Sequence, residues 1–330
     1  MSVITSIVRM VLKVKFTTNY KFNFTYDDFD PKRSEPYILI LNHTQLNDPL
    51  FISMNLKYYL YPVASNLLYT NKYMKFGLTR VIKSIPKRKG QSDSKTIRMI
   101  LEAFNKDHRG ILVAPEGNSS FYGEQTPTDY ISTAKLVKKL NKDLIIGKID
   151  GGYFAHPRWG KLRKGANIEI TYRPLIKAGA FAQYTLEEIA KIMEDAISFN
   201  DYQWIEKRDY IYKNKDLAEG IENIIYACPK CGRIQTIESK HNDVYCTHCG
   251  KIASFDEKQH LTGQYSTLID WNIYQKKLLK KHLNDSFQTT GKLYILDLIN
   301  SNRNFKGDYE IKLFKNELII TNEAHQFIFD

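Results

Sequence analysis

A histidine and an aspartate, His43 and Asp48, stand five residues apart in a segment that ends in Pro49. Neutral histidine can take a proton from a hydroxyl group near pH 7, and a carboxylate on its other ring nitrogen fixes the tautomer and stabilises the imidazolium. On a regular helix the two side chains would point about 140° apart, so they can meet only across a loop-to-helix turn. With Asp48 as N-cap and Pro49 at the first helical position, the sequence predicts such a turn. The pair is therefore a candidate general base with its orienting partner; the alternative is a structural loop histidine.

A second polar turn contains Glu116, Gly117, Asn118 and Ser119. Its small and polar residues can expose backbone N–H groups and hydroxyls, which suit a phosphate or a developing oxyanion. Both turns follow continuous apolar runs, 37–41 and 110–114, that predict buried strands. Ligands of α/β sheets bind at the carboxyl ends of strands, so we expect the second turn to face His43. A solvated turn is the alternative.

A cluster of basic residues lies between the two turns and surrounds a Ser-Ile-Pro segment. Such a cluster can bind a phosphate head group, although a solvated face is the simpler interpretation of the cluster alone. Its members are Arg80, Lys83, Lys87, Arg88 and Lys89.

Taken together, these motifs resemble the glycerophospholipid acyltransferases, the 1-acylglycerol-3-phosphate acyltransferase group. The resemblance spans roughly residues 35 to 180 and consists of Asn-His-x4-Asp after a strand, a basic segment about 40 residues later, and a Pro-Glu-Gly turn about 70 residues later. It implies a mixed, mostly parallel sheet flanked by helices, an acyl-CoA or acyl-carrier-protein donor, and no catalytic cofactor. The best expectation for the acceptor is 1-acyl-glycerol-3-phosphate.

The resemblance also assigns roles. His43 matches the family's catalytic base and Asp48 matches its partner, while Arg88 best matches the basic residue of the second motif. Glu116 and Gly117 match the core of the third motif, which is thought to bind the acceptor.

One position departs from the family pattern. Ser119 stands where the family usually has an arginine that contacts the acceptor phosphate. Losing that cationic fork removes a charge-assisted contact. Arg88, Arg158 or Lys161 then takes this role, or the acceptor is not a simple phosphomonoester, or activity is weakened.

Apolar runs alternate with helical periodicity over the first 200 residues, which predicts an α/β fold. Predicted strands cover 20–26, 37–41, 110–114, 144–149 and 168–172, and predicted helices cover 49–61, 95–105, 133–140 and 186–199. Further along, a helix over 268–283 precedes short strands over 293–299, 309–314, 317–321 and 326–329.

Four cysteines form two Cys-x-x-Cys-Gly knuckles separated by fourteen residues. This spacing predicts a zinc ribbon in which four thiolates close a tetrahedral, structural site. A disulfide framework is the weaker alternative, because the rest of the chain has no cysteine to indicate an oxidising compartment. The predicted ligands are Cys228, Cys231, Cys246 and Cys249.

The chain has a net charge of +12, from 48 basic and 36 acidic residues, which favours an anionic partner without selecting one. No apolar run approaches the ~20 residues of a spanning helix. Apolar residues recur at helical spacing over 3–14, with Arg9, Lys13 and Lys15 among them, which predicts an amphipathic helix at a membrane surface. Packing of that helix on the protein's own core is the alternative. We expect a cytoplasmic protein, peripheral on the inner face of the membrane.

The sequence thus predicts four parts: an interfacial helix (1–19), an acyltransferase domain (20–225), a zinc ribbon (226–256), and a basic helix with a β-rich tail (257–330). A rival hypothesis is a zinc-ribbon protein that binds nucleic acid or another protein and keeps a vestigial acyltransferase domain. The ribbon carries charges of both signs and no dense basic stripe with stacking aromatics, which disfavours nucleic acid as a partner.

Overall fold

A computed structural model describes residues 3–88, 94–281, 287–297, 302–314 and 316–329. The strands that it contains are β1 (Tyr20–Tyr26), β2 (Ile38–Leu41), β3 (Tyr61–Ser65), β4 (Ile85–Lys87), β5 (Ile111–Val113), β6 (Leu144–Asp150), β7 (Ala166–Ile176), β8 (Ile237–Lys240), β9 (Asp243–Cys246), β10 (Gly250–Ser254), β11 (Phe287–Asp297), β12 (Asn302–Leu313), β13 (Leu318–Thr321) and β14 (Gln326–Phe329). Its helices are α1 (Val3–Asn19), α2 (Asp48–Ser53), α3 (Lys72–Phe76), α4 (Ser94–Asn105), α5 (Ile131–Leu140), α6 (Gly152–Ala155), α7 (Leu186–Ile197), α8 (Asp201–Glu206) and α9 (Leu268–Lys281).

A seven-stranded sheet forms the centre of the molecule, in the order β1-β7-β6-β2-β5-β3-β4. Strands β6, β2, β5, β3 and β4 run parallel, whereas β7 is antiparallel to β6 and pairs in parallel with β1 at the edge. The predicted mixed, mostly parallel sheet flanked by helices is confirmed.

The sheet is covered on both faces because the side chains of its central strands alternate between two apolar clusters. Leu39 and Leu41 of β2 belong to one cluster, and Ile38 and Ile40 belong to the other. The first cluster also takes in α1, α2, α6, α8 and α9, whereas the second takes in α4, α5 and α7.

The predicted helix over 49–61 is wrong in its extent. Helix α2 ends at Ser53, and Tyr61 begins strand β3. Tyr61 pairs with Ile111 and Pro62 with Leu112 in the parallel sheet, so sheet pairing outweighs the helical spacing of the apolar residues. Pro62 also lacks the N–H that a continuing helix needs.

The C-terminal third contains two antiparallel sheets. A three-stranded sheet in the order β10-β9-β8 carries the second cysteine knuckle, and β11-β12-β13-β14 form the other. The predicted tail strands are present, although the first begins earlier, at Phe287, and residues 298 and 299 lie outside the described part of the chain. Among the described helices, none combines the length and apolar character needed to cross a bilayer.

Candidate active site

His43 and Asp48 meet at the carboxyl end of the central strand β2. His43 Nδ1 lies 3.0 Å from Asp48 Oδ2. The histidine side chain keeps 17% of its surface exposed, while the aspartate side chain has none. Because Nδ1 faces the carboxylate, the other ring nitrogen, Nε2, is the one left to take a proton from a ligand.

The Asp48 carboxylate binds the loop that precedes it and does not cap α2 as the sequence predicted. The backbone N–H groups of Thr44 and Gln45 donate to Oδ2, the latter at 2.8 Å, and Thr44 Oγ1 donates to Oδ1 at 2.9 Å. The N-cap of α2 is Asn47, whose side chain makes no capping bond. The short loop turns back on Asp48, and this holds the carboxylate under the imidazole.

The loop is also fixed to the neighbouring strand β6 and to α6. Asn42 Nδ2 donates to Ile149 O at 2.6 Å, and Ile149 N donates to Asn42 Oδ1 at 2.7 Å. Gln45 Nε2 donates to Gly152 O at 3.0 Å. A Cβ atom at Gly152 would lie 2.1 Å from Thr44 Oγ1, so only glycine fits there.

Asp201, the first residue of α8, is fully buried, and its carboxyl group lies at the start of α6. Its two oxygens accept from Gly151 N at 2.9 Å and Tyr153 N at 3.0 Å. Burial, reinforced by the nearby Asp150, raises its pKa to about 8. Asp201 therefore orients the short helix whose Gly152 supports the loop between His43 and Asp48.

Sequence reasoning missed Asn42, Gly152 and Asp201 as supports of the site. Asn42 carried a usable signal, because an amide directly after a fully apolar strand must find partners for both ends when buried. The spacing of 107 residues between Asn42 and Ile149, and of 50 between Gly151 and Asp201, offered no local pattern.

The turn after β5 lies beside His43, as expected from its position. We call residues 114–124 the acceptor loop. Ser120 N donates to His43 O at 2.8 Å, and Ser120 Oγ accepts from Gly123 N at 3.0 Å. Gly117 adopts a positive φ of 69°, and its N–H donates to Ala114 O at 3.1 Å. That N–H is therefore used within the turn, whereas Gly117 and Asn118 themselves face solvent and Ser119 is half-buried.

Glu116 differs from the rest of the acceptor loop because its side chain points inward and is only 6% exposed. No described residue completes a hydrogen bond to either carboxyl oxygen. Burial, with the Asp48 charge nearby, raises its pKa from 4.5 to about 9. The backbone N–H groups of His43 and Thr126 offset part of this effect without reaching hydrogen-bond geometry. Glu116 is thus protonated at neutral pH.

The three basic candidates for a phosphate contact have different surroundings. Arg158 is exposed, and its guanidinium lies 4.4 Å from the centre of the Phe121 ring at the rim of the acceptor loop. Lys161 forms ion pairs with Asp216, at 3.4 Å, and with Glu219. Arg88 directly follows β4, three strands from β2, which is about 14 Å across the sheet. Its neighbour in the predicted cluster, Lys89, lies outside the described residues.

The four cysteines converge although they come from two distant knuckles. Their sulfur atoms all lie within 4.8 Å of one another, with Cys228 Sγ 4.0 Å from Cys249 Sγ and Cys231 Sγ 3.9 Å from Cys246 Sγ. A tetrahedral site with zinc–sulfur bonds of ~2.3 Å requires sulfur separations of ~3.8 Å. The cluster therefore has the dimensions of a four-thiolate metal site. His248 is exposed, and its Nε2 lies 3.1 Å from Arg233 Nη1.

Comparison with known proteins finds a family match within the N-terminal half and a similar fold over a larger part of the chain. Residues 22–144 match the model of the family described as Acyltransferase, which confirms the predicted resemblance over that stretch. The match contains both turns and excludes Arg158 and the cysteines. Among solved structures, the chain is similar to the 1-acyl-sn-glycerophosphate (LPA) acyltransferase PlsC from Thermotoga maritima, with 15% identity and a TM-score of 0.46 over 62% of this chain and 79% of that one. No curated protein matches the chain.

Proposed function

We propose that this chain, whose residues 22–144 match the acyltransferase family, transfers an acyl group from a thioester to the hydroxyl of a lysophospholipid. The observation that carries the proposal is the His43–Asp48 contact at 3.0 Å, held by an immobilised loop at the carboxyl end of the central strand. An alcohol is a poor nucleophile until a base takes its proton, and the half-buried His43 supplies that base.

The reaction needs no covalent acyl-enzyme. His43 Nε2 takes the hydroxyl proton as the alcohol oxygen forms a bond to the thioester carbonyl carbon. Asp48 holds Nδ1–H and stabilises the imidazolium. The tetrahedral intermediate then collapses, the carbon–sulfur bond breaks, and the thiolate receives the proton from His43. Acyl-CoA and acyl-carrier protein both supply such a thioester.

Arg158 is the cation that we propose for the acceptor phosphate in place of the family arginine missing at Ser119. Among the described residues, no carboxylate pairs with Arg158, whereas Lys161 is occupied by two. Stacking on Phe121 holds the guanidinium at the rim of the acceptor loop, one residue from Ser120, which bonds to His43. Arg88 would contact the more distant part of the ligand, and Glu116, Gly117, Asn118 and Ser119 would form the floor of the acceptor site.

The acceptor is a lipid, and the exposed surface of α1 suits a membrane. It exposes four large apolar side chains, whereas Phe16 packs into the core and Arg9 donates to Ser53 O and Leu56 O at 2.9 Å. The π-helical turn Gly77–Val81 contacts α1, and helix α3, which leads into this turn, exposes further apolar side chains. Together these exposed residues, which we call the apolar surface, are Ile7, Met10, Val11, Val14, Tyr73, Met74 and Phe76. Lysines 13, 15, 72 and 75 flank it, which favours anionic lipid.

A structural zinc ion is our proposal for the four cysteines. Four thiolates fill all positions of a tetrahedral site, so the metal would take no part in the chemistry of acyl transfer. Its contribution would be to the fold of the C-terminal third.

An acyl-transfer assay with a panel of acceptors tests the proposed function. Purified protein with vesicles and labelled acyl-CoA or acyl-carrier protein should acylate lysophosphatidic acid or another lysophospholipid. The variant Arg158→Ala should raise the KM for a phosphomonoester acceptor about ten-fold, the value of one charge-assisted bond of ~1.4 kcal/mol. Lys161→Ala is the matched control. Wild-type protein that acylates none of these acceptors would contradict the proposal.

A further inference from the structure

The acceptor loop and helix α9 both donate to one backbone carbonyl, which precedes the first cysteine knuckle. Tyr122 Oη, in the acceptor loop, donates to Ile224 O at 3.3 Å. Gln275 Nε2, in α9, donates to the same oxygen at 2.9 Å. Ile224 lies four residues before Cys228, so the position of this carbonyl depends on how the knuckle is held. We call residues 221–281 the cysteine module.

Helix α9 binds the segment that leads into the knuckle at three further points. Gln275 Oε1 accepts from Tyr226 N at 3.0 Å. Trp271 Nε1 donates to Ala227 O at 2.9 Å, and Tyr274 Oη donates to Cys228 O at 3.2 Å. The Trp271 side chain is fully buried. The helix and this segment therefore form one unit, whose end is the metal ligand Cys228.

The two residues that precede Tyr122 in the chain connect it to His43. Phe121, its neighbour, carries Arg158 on its ring, and Phe121 O accepts from Tyr153 Oη at 3.1 Å. Ser120, one residue further, donates its N–H to His43 O. Three consecutive residues of the acceptor loop thus contact the cysteine module, the proposed phosphate cation and the catalytic residue.

A buried arginine makes a second bridge between the cysteine module and this side of the site. Arg163 is 3% exposed and donates to Gln259 Oε1 in the module and, at 3.4 Å, to Phe154 O in α6. Trp159, next to Arg158, stacks on Phe255 of the module with ring centres 6.3 Å apart and an angle of 25° between the rings. The segment that bears Arg158 therefore packs against the cysteine module.

We propose that the metal-loaded cysteine module forms one wall of the acceptor site, with Tyr122 as a positioning residue. This inference rests on the proposed function above. Zinc at the four thiolates fixes Cys228, and through α9 and Ile224 O it holds Tyr122, so that the acceptor loop stays against His43. Loss of the metal or of the Tyr122 hydroxyl weakens acceptor binding and leaves donor binding unchanged.

The test uses the full chain and compares wild type with Tyr122→Phe and Cys231→Ser. Cys231 is the exposed ligand, so its replacement disturbs packing least. Elemental analysis should find one zinc per wild-type chain and less in Cys231→Ser. Tyr122→Phe should raise the acceptor KM about five-fold, as expected for one neutral hydrogen bond, with zinc content and donor KM unchanged. Tyr245→Phe, whose hydroxyl bonds to Asp243 at 3.3 Å inside the module, is the control.

Amide hydrogen exchange of residues 117–124 gives a readout that does not depend on activity. Exchange there should be faster in Tyr122→Phe and in Cys231→Ser than in wild type. Unchanged exchange and unchanged acceptor KM in Tyr122→Phe would overturn the inference, and so would wild-type protein that binds no zinc. Wild-type protein without acyltransferase activity would instead contradict the proposed function, because zinc content and exchange can still be measured.

Discussion

His43 depends on a carboxylate that its own loop immobilises. Asp48 accepts from two backbone N–H groups, one hydroxyl and the imidazole, so its oxygens have little freedom to turn away. Such preorganisation matters because a base displaced by about 1 Å can lose two orders of magnitude in rate. The supports of Asp48 are therefore as informative to mutate as the pair itself.

Gly152→Ala should disrupt this arrangement from outside the pair. The new Cβ would meet Thr44 Oγ1 at 2.1 Å and push it away from Asp48. We expect kcat to fall about 100-fold, the usual cost of a misplaced catalytic group, while the chain remains folded. Gly77→Ala is the matched control, because a Cβ there meets nothing within 4 Å. Equal acyl-transfer rates in the two variants would show that Thr44 does not support the site.

Glu116 should leave a signature in the pH dependence of stability. Its folded pKa of about 9 lies above its ordinary value of 4.5, so the folded state keeps a proton that the unfolded state releases. The stability that this proton contributes is fully present below pH 4.5 and is lost as the pH rises through 9. Glutamine cannot ionise, so the Glu116→Gln variant should not lose this stability as the pH rises.

The melting temperature of Glu116→Gln, measured relative to wild type, should therefore rise steadily between pH 5 and pH 9. Glu102→Gln, at an exposed position of α4, should show no such trend. Parallel melting curves for wild type and Glu116→Gln over this range would contradict the proposed burial of a neutral carboxyl.

At the scale of elements, the sequence predicted the long or fully apolar segments and missed the short ones. Strands β2 and β5 are apolar and buried on both faces, as are the first four residues of β6, and α4 and α7 each run for 12 residues with an apolar stripe. Strand β4 has three residues and α6 has four, and segments this short show neither the alternation of a strand nor the periodicity of a helix. Arg88 directly follows β4, and Gly152 is the first residue of α6.

The same contrast applies to the candidate site. His43, Asp48 and the acceptor loop could be placed because each follows an apolar strand of a parallel sheet. The direction of the Asp48 carboxylate could not be predicted, because the carboxylate bonds to Thr44 and Gln45 and does not cap the helix, as aspartate at a helix start usually does. The contacts of Asp201 and Tyr122 depend on tertiary packing, which a single sequence does not encode in any local pattern.

Helices α1 and α3 should determine membrane binding through the apolar surface. Met10 is 63% exposed and Phe76 is 65% exposed, so the double variant Met10→Glu/Phe76→Glu should fold normally. Each apolar side chain removed from the lipid interface should cost ~1.5 kcal/mol or more of binding free energy. The affinity for anionic vesicles, measured by co-sedimentation, should therefore fall by at least about 100-fold. Leu101→Glu is the control, because this exposed residue lies on α4 at the opposite face of the sheet. Equal vesicle binding of the two proteins would move the membrane contact elsewhere.

At the scale of the whole molecule, helix α1 and the cysteine module lie on the same face of the central sheet. Strand β2 leads directly into the loop that bears His43. Helices α1 and α3 expose apolar and basic side chains. The cysteine module contacts the acceptor loop from the same face of the sheet as α1. The net charge of +12 favours approach to an anionic surface. The proposed role of the cysteine module would give a function to residues 221–281, which the family match does not include.

The most direct test of the central claim is the initial rate of acyl transfer by His43→Ala. Wild type and variant would be compared with vesicles, lysophospholipid and labelled thioester at saturating concentrations, with His325→Ala as the control. Loss of the base should reduce the rate by on the order of 10² to 10⁴, with unchanged circular dichroism and zinc content. A His43→Ala protein that keeps wild-type activity would contradict the assignment of His43 as the catalytic base.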